Sequence, residues 1–396
     1  MAAFNVFTIV LGVASMIPML GSMMPGRDPL VTTIRIYGGT GTDTSGNAPG
    51  VAAFDIDGNL IGSVKGGDVI AQGAPFDAKI EMKADGSDGS AAQAQYISLS
   101  QAGVDALCVA GISVTWPDGL EFAWYGDVAE FCGAPWYPST TVLSAKDLYT
   151  PKCVWIDGDA TNGIKTQGIA MHIPSFVATA ERAQSMTEDK DLWCNTAPRL
   201  KFYDSLQLEQ AIPVFKPYPE FEGTTLLDVD PAKTKNSANW FTPQWPLDKK
   251  GRKDEKAMKK AEKEAEKERE RQGQKEEKRD IDFNVDASVN GTSAELVANG
   301  KRPFFGILNK SPSKYHSAIE LCQSSTSFGP DFVSLEEGVF CDMDAKKAWP
   351  LCSATITNNC FDNDTDKMVG GKKNSRRDDV TGARIIHKRY TKVNSW

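Results

Sequence analysis

Ile112-Ser113-Val114-Thr115-Trp116-Pro117-Asp118-Gly119-Leu120-Glu121-Phe122-Ala123-Trp124 decides the fold class of this chain. Apolar residues alternate on both arms, the period of a half-buried strand. Between the arms Pro117 presets φ and Gly119 accepts positive φ, which closes a hairpin. Trp116 and Trp124 share the parity of Ile112, Val114 and Phe122, so both belong to a core. Outward from this hairpin the alternation recurs at Val31–Tyr37, Phe76–Met82 and Tyr96–Ser100. Asp57-Gly58-Asn59 reads as a turn joining Val51–Ile56 to Leu60–Val64. Short strands broken by turn residues at a spacing of about 8–12 predict a mainly β fold. The expected architecture is an antiparallel β-sandwich or jelly-roll-like domain over residues 30–230. A helix is expected from Ser175, as cap, to Met186. No GxGxxG, P-loop or βαβ alternation is present, which argues against a dinucleotide fold.

The start of the chain and its eight cysteines speak to destination. Residues 2–24 carry no charge and the first basic residue is Arg27. Residues 1–25 are therefore expected to be a signal peptide, with an uncleaved anchor as the alternative. Pro18 and the neighbouring glycines make a poor membrane helix. An even cysteine count behind such a leader predicts a disulfide framework in an extracellular protein. Sequence proximity alone suggests Cys108–Cys132, Cys153–Cys194, Cys322–Cys341 and Cys352–Cys360. No CxxC pair occurs, which argues against structural zinc. Sequons at Asn290, Asn309 and Asn363 suggest a glycoprotein.

Residues 246–283 read as a charged linker, disordered or a frayed helix. From Asp248 to Asp282 they hold 14 basic and 12 acidic side chains and almost nothing apolar, so no face can be buried. The remainder of the chain then carries 30 basic and 40 acidic residues. An acidic body repels phosphates, so neither nucleic acid nor an anionic membrane surface is an expected partner. Lys278-Arg279 is a dibasic pair in this segment and a candidate processing site. Residues 284–396 are expected to form a small α-plus-coil module braced by two disulfides, with a short helix within Lys314–Ser324 and a basic tail.

Several longer strings resemble a group of secreted proteins from filamentous fungi. They are Tyr96-Ile-Ser-Leu-Ser, Asp105–Gly119, Ala123–Val128, Cys132-Gly, Cys153–Asp159, Asp191–Arg199, Ser324–Ser334 and Cys341–Asp344. The resemblance covers most of the chain outside the leader and linker. It implies secretion and a fungal source, and no particular activity.

Candidate sites are few. Asp157, Asp159 and Thr161 space oxygen ligands like the opening of a calcium loop, but position six is Asn162 and position twelve is Gly168. A solvated turn is the favoured reading, with calcium as the alternative and no other cofactor expected. Asp362, Asp364 and Asp366 repeat the spacing without a glycine. A hydrolytic triad would need His172, His316 or His387, and no serine stands in GxSxG. Asp118, Glu121, Asp127 and Glu130 are the candidate carboxylates for a glycosidase. Trp136 and Tyr137, in Gly133-Ala-Pro-Trp-Tyr-Pro, are expected to be exposed and to form a ligand surface. The resulting expectation is a secreted, non-enzymatic protein binding a glycan or protein at the cell wall or a host surface. The alternative is an extracellular carbohydrate-active hydrolase using carboxylates near Trp136.

Overall fold

This structure is a computed structural model that describes residues 24–39, 44–70, 74–81, 93–142, 149–160, 164–177, 179–243, 304–370 and 388–396. The leader through residue 23, the linker, Lys278, Arg279, Asn290 and His387 lie outside them. Among the described residues the fold is mainly β. The first part supplies β1 (Val31–Gly38), β2 (Gly50–Phe54), β3 (Leu60–Val64), β4 (Pro75–Glu81), β5 (Tyr96–Ser100), β6 (Leu107–Thr115), β7 (Glu121–Tyr125), β8 (Trp136–Pro138), β9 (Lys152–Ile156), β10 (Gly168–His172) and β11 (Leu200–Tyr203). A short ribbon, β12 (Val214–Phe215) with β13 (Trp240–Phe241), follows.

These strands form two antiparallel sheets, β4-β1-β6-β9-β8 with β7 also on β6, and β11-β10-β5-β2-β3. The opening hairpin is present, with Ile112 opposite Trp124, Val114 opposite Phe122, and Gly119 at φ 92°. Ile34, Ile36, Ile112, Val114 and Trp124 of one sheet meet Val51, Ile97, Leu99, Ile169 and Met171 of the other in a single core. Each such side chain contributes about 1.5–3 kcal/mol on burial. The sandwich is therefore as the alternation predicts.

β6 and β9 depart from simple alternation, because both of their faces are covered. In β9, Val154 and Ile156 enter the sandwich core, while Cys153 and Trp155 enter a second core on the opposite side. In β6, Leu107 and Val109 face the sandwich and Cys108 and Ala110 face away. The register against β1 then shifts between Tyr37 and Gly38, and Ile112 and Val114 take over the inward face.

The C-terminal segment supplies the second cover. It contains β14 (Ile307–Ser311), β15 (Asp331–Ser334), β16 (Val339–Asp342), β17 (Lys347–Pro350), β18 (Cys360–Asp362), β19 (Lys367–Val369) and β20 (Lys392–Ser395). Five of these form a mixed sheet ordered β17-β16-β15-β14-β20, with β14 parallel to β15 and β20. Ala318, Leu321, Cys322, Phe332 and Met343 pack with Trp136, Tyr137, Cys153 and Trp155 in the second core. The described residues before 244 and after 303 accordingly form one compact unit. The expected separate α-plus-coil module over 284–396 is thus corrected. From residue 304 on, the described segment is a β-rich third layer on the sandwich.

The helices are short. α1 (Gly126–Phe131) follows β7 directly, α2 (Ala180–Glu188) and α3 (Lys190–Cys194) follow β10, α4 (Pro231–Lys235) precedes β13, and α5 (Ala318–Gln323) follows β14. Two expected boundaries move. Residues 173–176 are 3-10 helix, and the α2 cap is Thr179, whose hydroxyl accepts from Arg182 N. Ser175 instead hydrogen-bonds the His172 ring. Ser317 caps α5 through Glu320 N. At the leader's expected end, Met24 is buried and Pro25 O accepts from the Thr115 hydroxyl at 2.9 Å.

All eight cysteines are paired, and each cluster closes on its own side of residues 244–303. Cys322–Cys341 and Cys352–Cys360 form as expected. The first two expected pairs are corrected to Cys108–Cys153 and Cys132–Cys194. Sheet register, not proximity in sequence, decides this: β6 and β9 are neighbours, with Cys108 opposite Trp155, so Cys108 and Cys153 share one face. Cys132 ends α1 and pairs with the end of α3.

The third layer approaches the sandwich closely at Gly329. A Cβ there would lie 2.3 Å from the Tyr137 ring. Gly329→Ala is therefore expected to destabilise the protein by about 2–3 kcal/mol through overpacking. Denaturant titration measures this, and a variant as stable as the parent contradicts the close approach.

Candidate functional site

Trp136 and Tyr137 sit in β8, with β9 along one edge and a parallel bridge from Trp136 to Ser327 along the other. Their side chains are 1% and 0% exposed, which corrects the expectation of an exposed ligand surface. The Trp136 Nε1 donates to Ser324 Oγ at 3.0 Å, and Phe328 N donates to Trp136 O at 2.9 Å. The Tyr137 hydroxyl donates to Pro330 O and accepts from Asn309 Nδ2 at 3.1 Å. Trp155 Nε1 donates to Phe328 O at 2.7 Å. Together these aromatics form the joint between sandwich and third layer. Asn309 is itself 1% exposed and bonded to Tyr137 and Asn394, so the expected glycosylation there is corrected: its amide is core. Asn363 lies half-buried in the turn between β18 and β19.

The four candidate carboxylates fall into two separate groups. Asp118 and Glu121 stand at the hairpin tip, while Asp127 and Glu130 lie on α1 at the far end of β7. At about 3.3 Å per residue the two groups are roughly 15–20 Å apart, whereas glycosidase pairs stand about 5–10 Å apart. Asp127 is buried, and desolvation pushes it up to about 6 against the pull of Lys152 and Tyr149. Burial pushes Glu130 up as well. Lys152 lies between Glu130, at 3.2 Å, and Glu320 of α5, with its ammonium 4.6 Å from the Trp136 ring centroid. This cluster is a polar tie between layers.

Two histidines are also structural. His172 Nδ1 meets Ser175 Oγ at 2.8 Å, and burial, then Arg199 and Arg182, push its pKa well below the ordinary value. His316 bridges the layers, meeting Ser311 Oγ at 2.7 Å, Thr150 Oγ1 at 2.8 Å and Ser139 O at 3.0 Å. Burial lowers its pKa to about 4, so the ring is neutral. Of the proposed calcium ligands, Asp157 is buried and Thr161 lies outside the described residues. Among the described residues no group of three or more His, Cys, Asp or Glu side chains could hold a metal. Asp362 accepts from Asp364 N, Thr365 N and Thr365 Oγ1, as a self-contained turn.

A cavity of about 270 Å³ was not foreseen from sequence. Phe304, Phe305 and Phe328 supply its aromatic wall, and Asp331, Asp344, Lys346 and Lys388 its charged wall. Phe304 packs tilted against Trp155, with ring centroids 5.3 Å apart, so the aromatic wall rests on the joint. Asp331, at the start of β15, accepts from Met343 N at 2.8 Å, from Lys388 at 2.9 Å and from the Tyr390 hydroxyl at 2.7 Å. Lys346 stands at φ 49° and donates to Ser327 O at 2.7 Å, to Leu321 O and to Ser327 Oγ. The signals available in sequence were Phe304-Phe305 directly after the linker and Asp342-Met-Asp344. Neither has a periodicity that announces a cavity, because its walls come from four separate loops. No protein-family model matches this chain, and no curated protein is found to be similar to it.

The buried acid gives a pH test. Because Asp127 titrates near 6 when folded, the folded state between about pH 6 and 4 holds a proton that the unfolded chain releases. Its contribution to stability is full below the unfolded value and is lost as pH rises through 6. His316 has the opposite sign: its contribution is full above about 6.5 and is lost as pH falls toward 4. Asp127→Asn keeps an oxygen for Lys152 N. It is expected to stabilise the protein by about 2–3 kcal/mol at pH 7.5 and not at pH 4. Equal effects at the two pH values in chemical denaturation would contradict the assignment.

Proposed function

We propose that this is a secreted protein of fungal type that binds a saccharide without hydrolysing it, at the cell wall or a host surface. The observation that carries this is the cavity, which is lined by three phenyl rings together with Asp331, Asp344, Lys346 and Lys388. Phenyl faces pack on the C–H faces of a sugar ring, and fixed ionic groups orient its hydroxyls. Four disulfides suit an oxidising compartment, the apolar leader supplies a route to it, and Asn363 remains the glycosylation candidate among the described residues. The resemblance to secreted fungal proteins supports the source. The acidic balance of the chain weighs against nucleic acid as a partner.

Hydrolysis near Trp136 is the weaker alternative. Asp127 and Glu130 share Lys152, and Trp136 is inside the joint. In the cavity, Asp331 is held by Lys388 and Tyr390, an arrangement for orientation rather than proton transfer.

Phe305 is 36% exposed, so Phe305→Ala should leave folding intact. It is expected to weaken binding to saccharides identified on a glycan array by about tenfold. Unchanged binding would remove the cavity from the account. Reducing-sugar release that is lost in Glu130→Gln would favour the hydrolase.

A further inference from the structure

Two arginines are buried against the segment Val214–Asp230. Arg199, immediately before β11, is 0% exposed, and Arg182 of α2 is 3% exposed. A buried cation is costly unless it is paired and hydrogen-bonded. Arg199 Nη2 donates to Asp228, whose side chain is 2% exposed. Its Nε and Nη1 have no hydrogen-bond partner among the described residues. Arg182 donates through Nε to Leu226 O and through Nη1 to Pro174 O at 2.8 Å and Val177 O at 3.2 Å. Its Nη2 is likewise without a partner among them. Three donor nitrogens on two buried cations are thus unmatched, where nearly all buried donors in folded proteins are matched.

The charges do not balance either. Burial, then Arg199 and Arg182, hold His172 well below its ordinary pKa, so its ring adds no charge. Arg182 is itself lowered to about 10 by burial and then by Arg199, with Asp228 pulling the other way. Asp189, which also interacts with Arg199, is taken by Lys235 at 2.7 Å. Two cations against Asp228 leave one positive charge in excess. Water can satisfy the donors but leaves that charge unmatched. Aromatic rings flank both guanidiniums: Arg199 Cζ lies 4.8 Å from the Trp193 ring centroid and 5.9 Å from that of Phe215, and Arg182 Cζ lies 4.6 Å from that of Phe221. Phe215 also lines a surface cavity of about 220 Å³ with Pro217, Glu220 and Val229.

We propose that Arg182 and Arg199 hold a small monovalent anion, a halide such as chloride. It accepts hydrogen bonds from the unmatched guanidinium nitrogens and neutralises the excess charge. It thereby ties α2 and the start of β11 to the Val214–Asp230 segment. The flanking rings favour a compact, weakly hydrated ion over sulfate or phosphate. This site is independent of the saccharide reading.

Thermal unfolding of the full chain with its disulfides intact tests this, in sodium chloride and in sodium gluconate at equal ionic strength, so that screening is common to both. Chloride bound to the folded state alone is expected to raise Tm by about 2–3 °C for each tenfold increase in concentration above Kd, and gluconate is not. Equal Tm in the two salts across the series overturns the site. Arg182→Met removes the excess charge and the Nη2 donor, and should abolish the difference between the salts. A difference that persists in that variant places the ion elsewhere and overturns the assignment. If the variant fails to fold, anomalous scattering from bromide in crystals of the parent protein decides. A peak within hydrogen-bond reach of Arg182 Nη2 and Arg199 supports the site, and bromide found only elsewhere, or nowhere, overturns it.

Discussion

The Tyr137 ring occupies the space that any side chain at position 329 would need, and the architecture depends on that contact. It brings Ser324–Pro330 close enough for Trp136, Tyr137 and Trp155 to hydrogen-bond across the joint. Trp396, the last residue, closes the same cluster, with its ring 6.1 Å from Tyr137 and 5.3 Å from His316. Lys152 with Glu320, and His316 with Thr150 and Ser139, satisfy polar groups that the joint would otherwise strand. No disulfide crosses between the chain before residue 244 and the chain after 303, so packing and hydrogen bonds hold the two parts together.

The same contact explains why the sandwich has an unusual central sheet. A sheet covered on one face alternates, and one covered on both does not. Leu107–Thr115 and Lys152–Ile156 are buried almost throughout because the sandwich takes one parity and the third layer the other. The cavity follows from this arrangement. Phe304 rests on Trp155, and the loops carrying Ser327–Gly329 and Met343–Lys346 surround it. The cavity thereby lies on the segment that packs at the joint.

Strand positions were legible wherever one face met solvent. Ile112–Trp124 alternates cleanly, and its turn and the burial of both tryptophans follow from the sequence. The third layer was legible only in part. Leu107-Cys-Val-Ala-Gly-Ile-Ser-Val114 and Cys153-Val-Trp-Ile156 are apolar at both parities, which is the mark of two-sided burial. Trp136 and Tyr137, read as part of the Gly133–Pro138 loop, were expected to be exposed because nothing local to them announces the third layer on which they pack. Asn309 was misread for a related reason: a sequon is three residues, and burial is set by partners such as Tyr137 far away in sequence. The pairing of Cys108 with Cys153 required the β6–β9 register, which no local spacing encodes. The cavity required four loops to meet.

The central claim is that the chain on either side of residues 244–303 folds into one body held by noncovalent contacts at Tyr137 and Gly329. Cutting the protein at a protease site placed within that segment, then comparing native size-exclusion with a non-reducing denaturing gel, tests it most directly. The account predicts that the cut protein elutes as a single particle of undiminished size, unfolds in one transition, and gives two bands on the gel. Two separate particles under native conditions would contradict it.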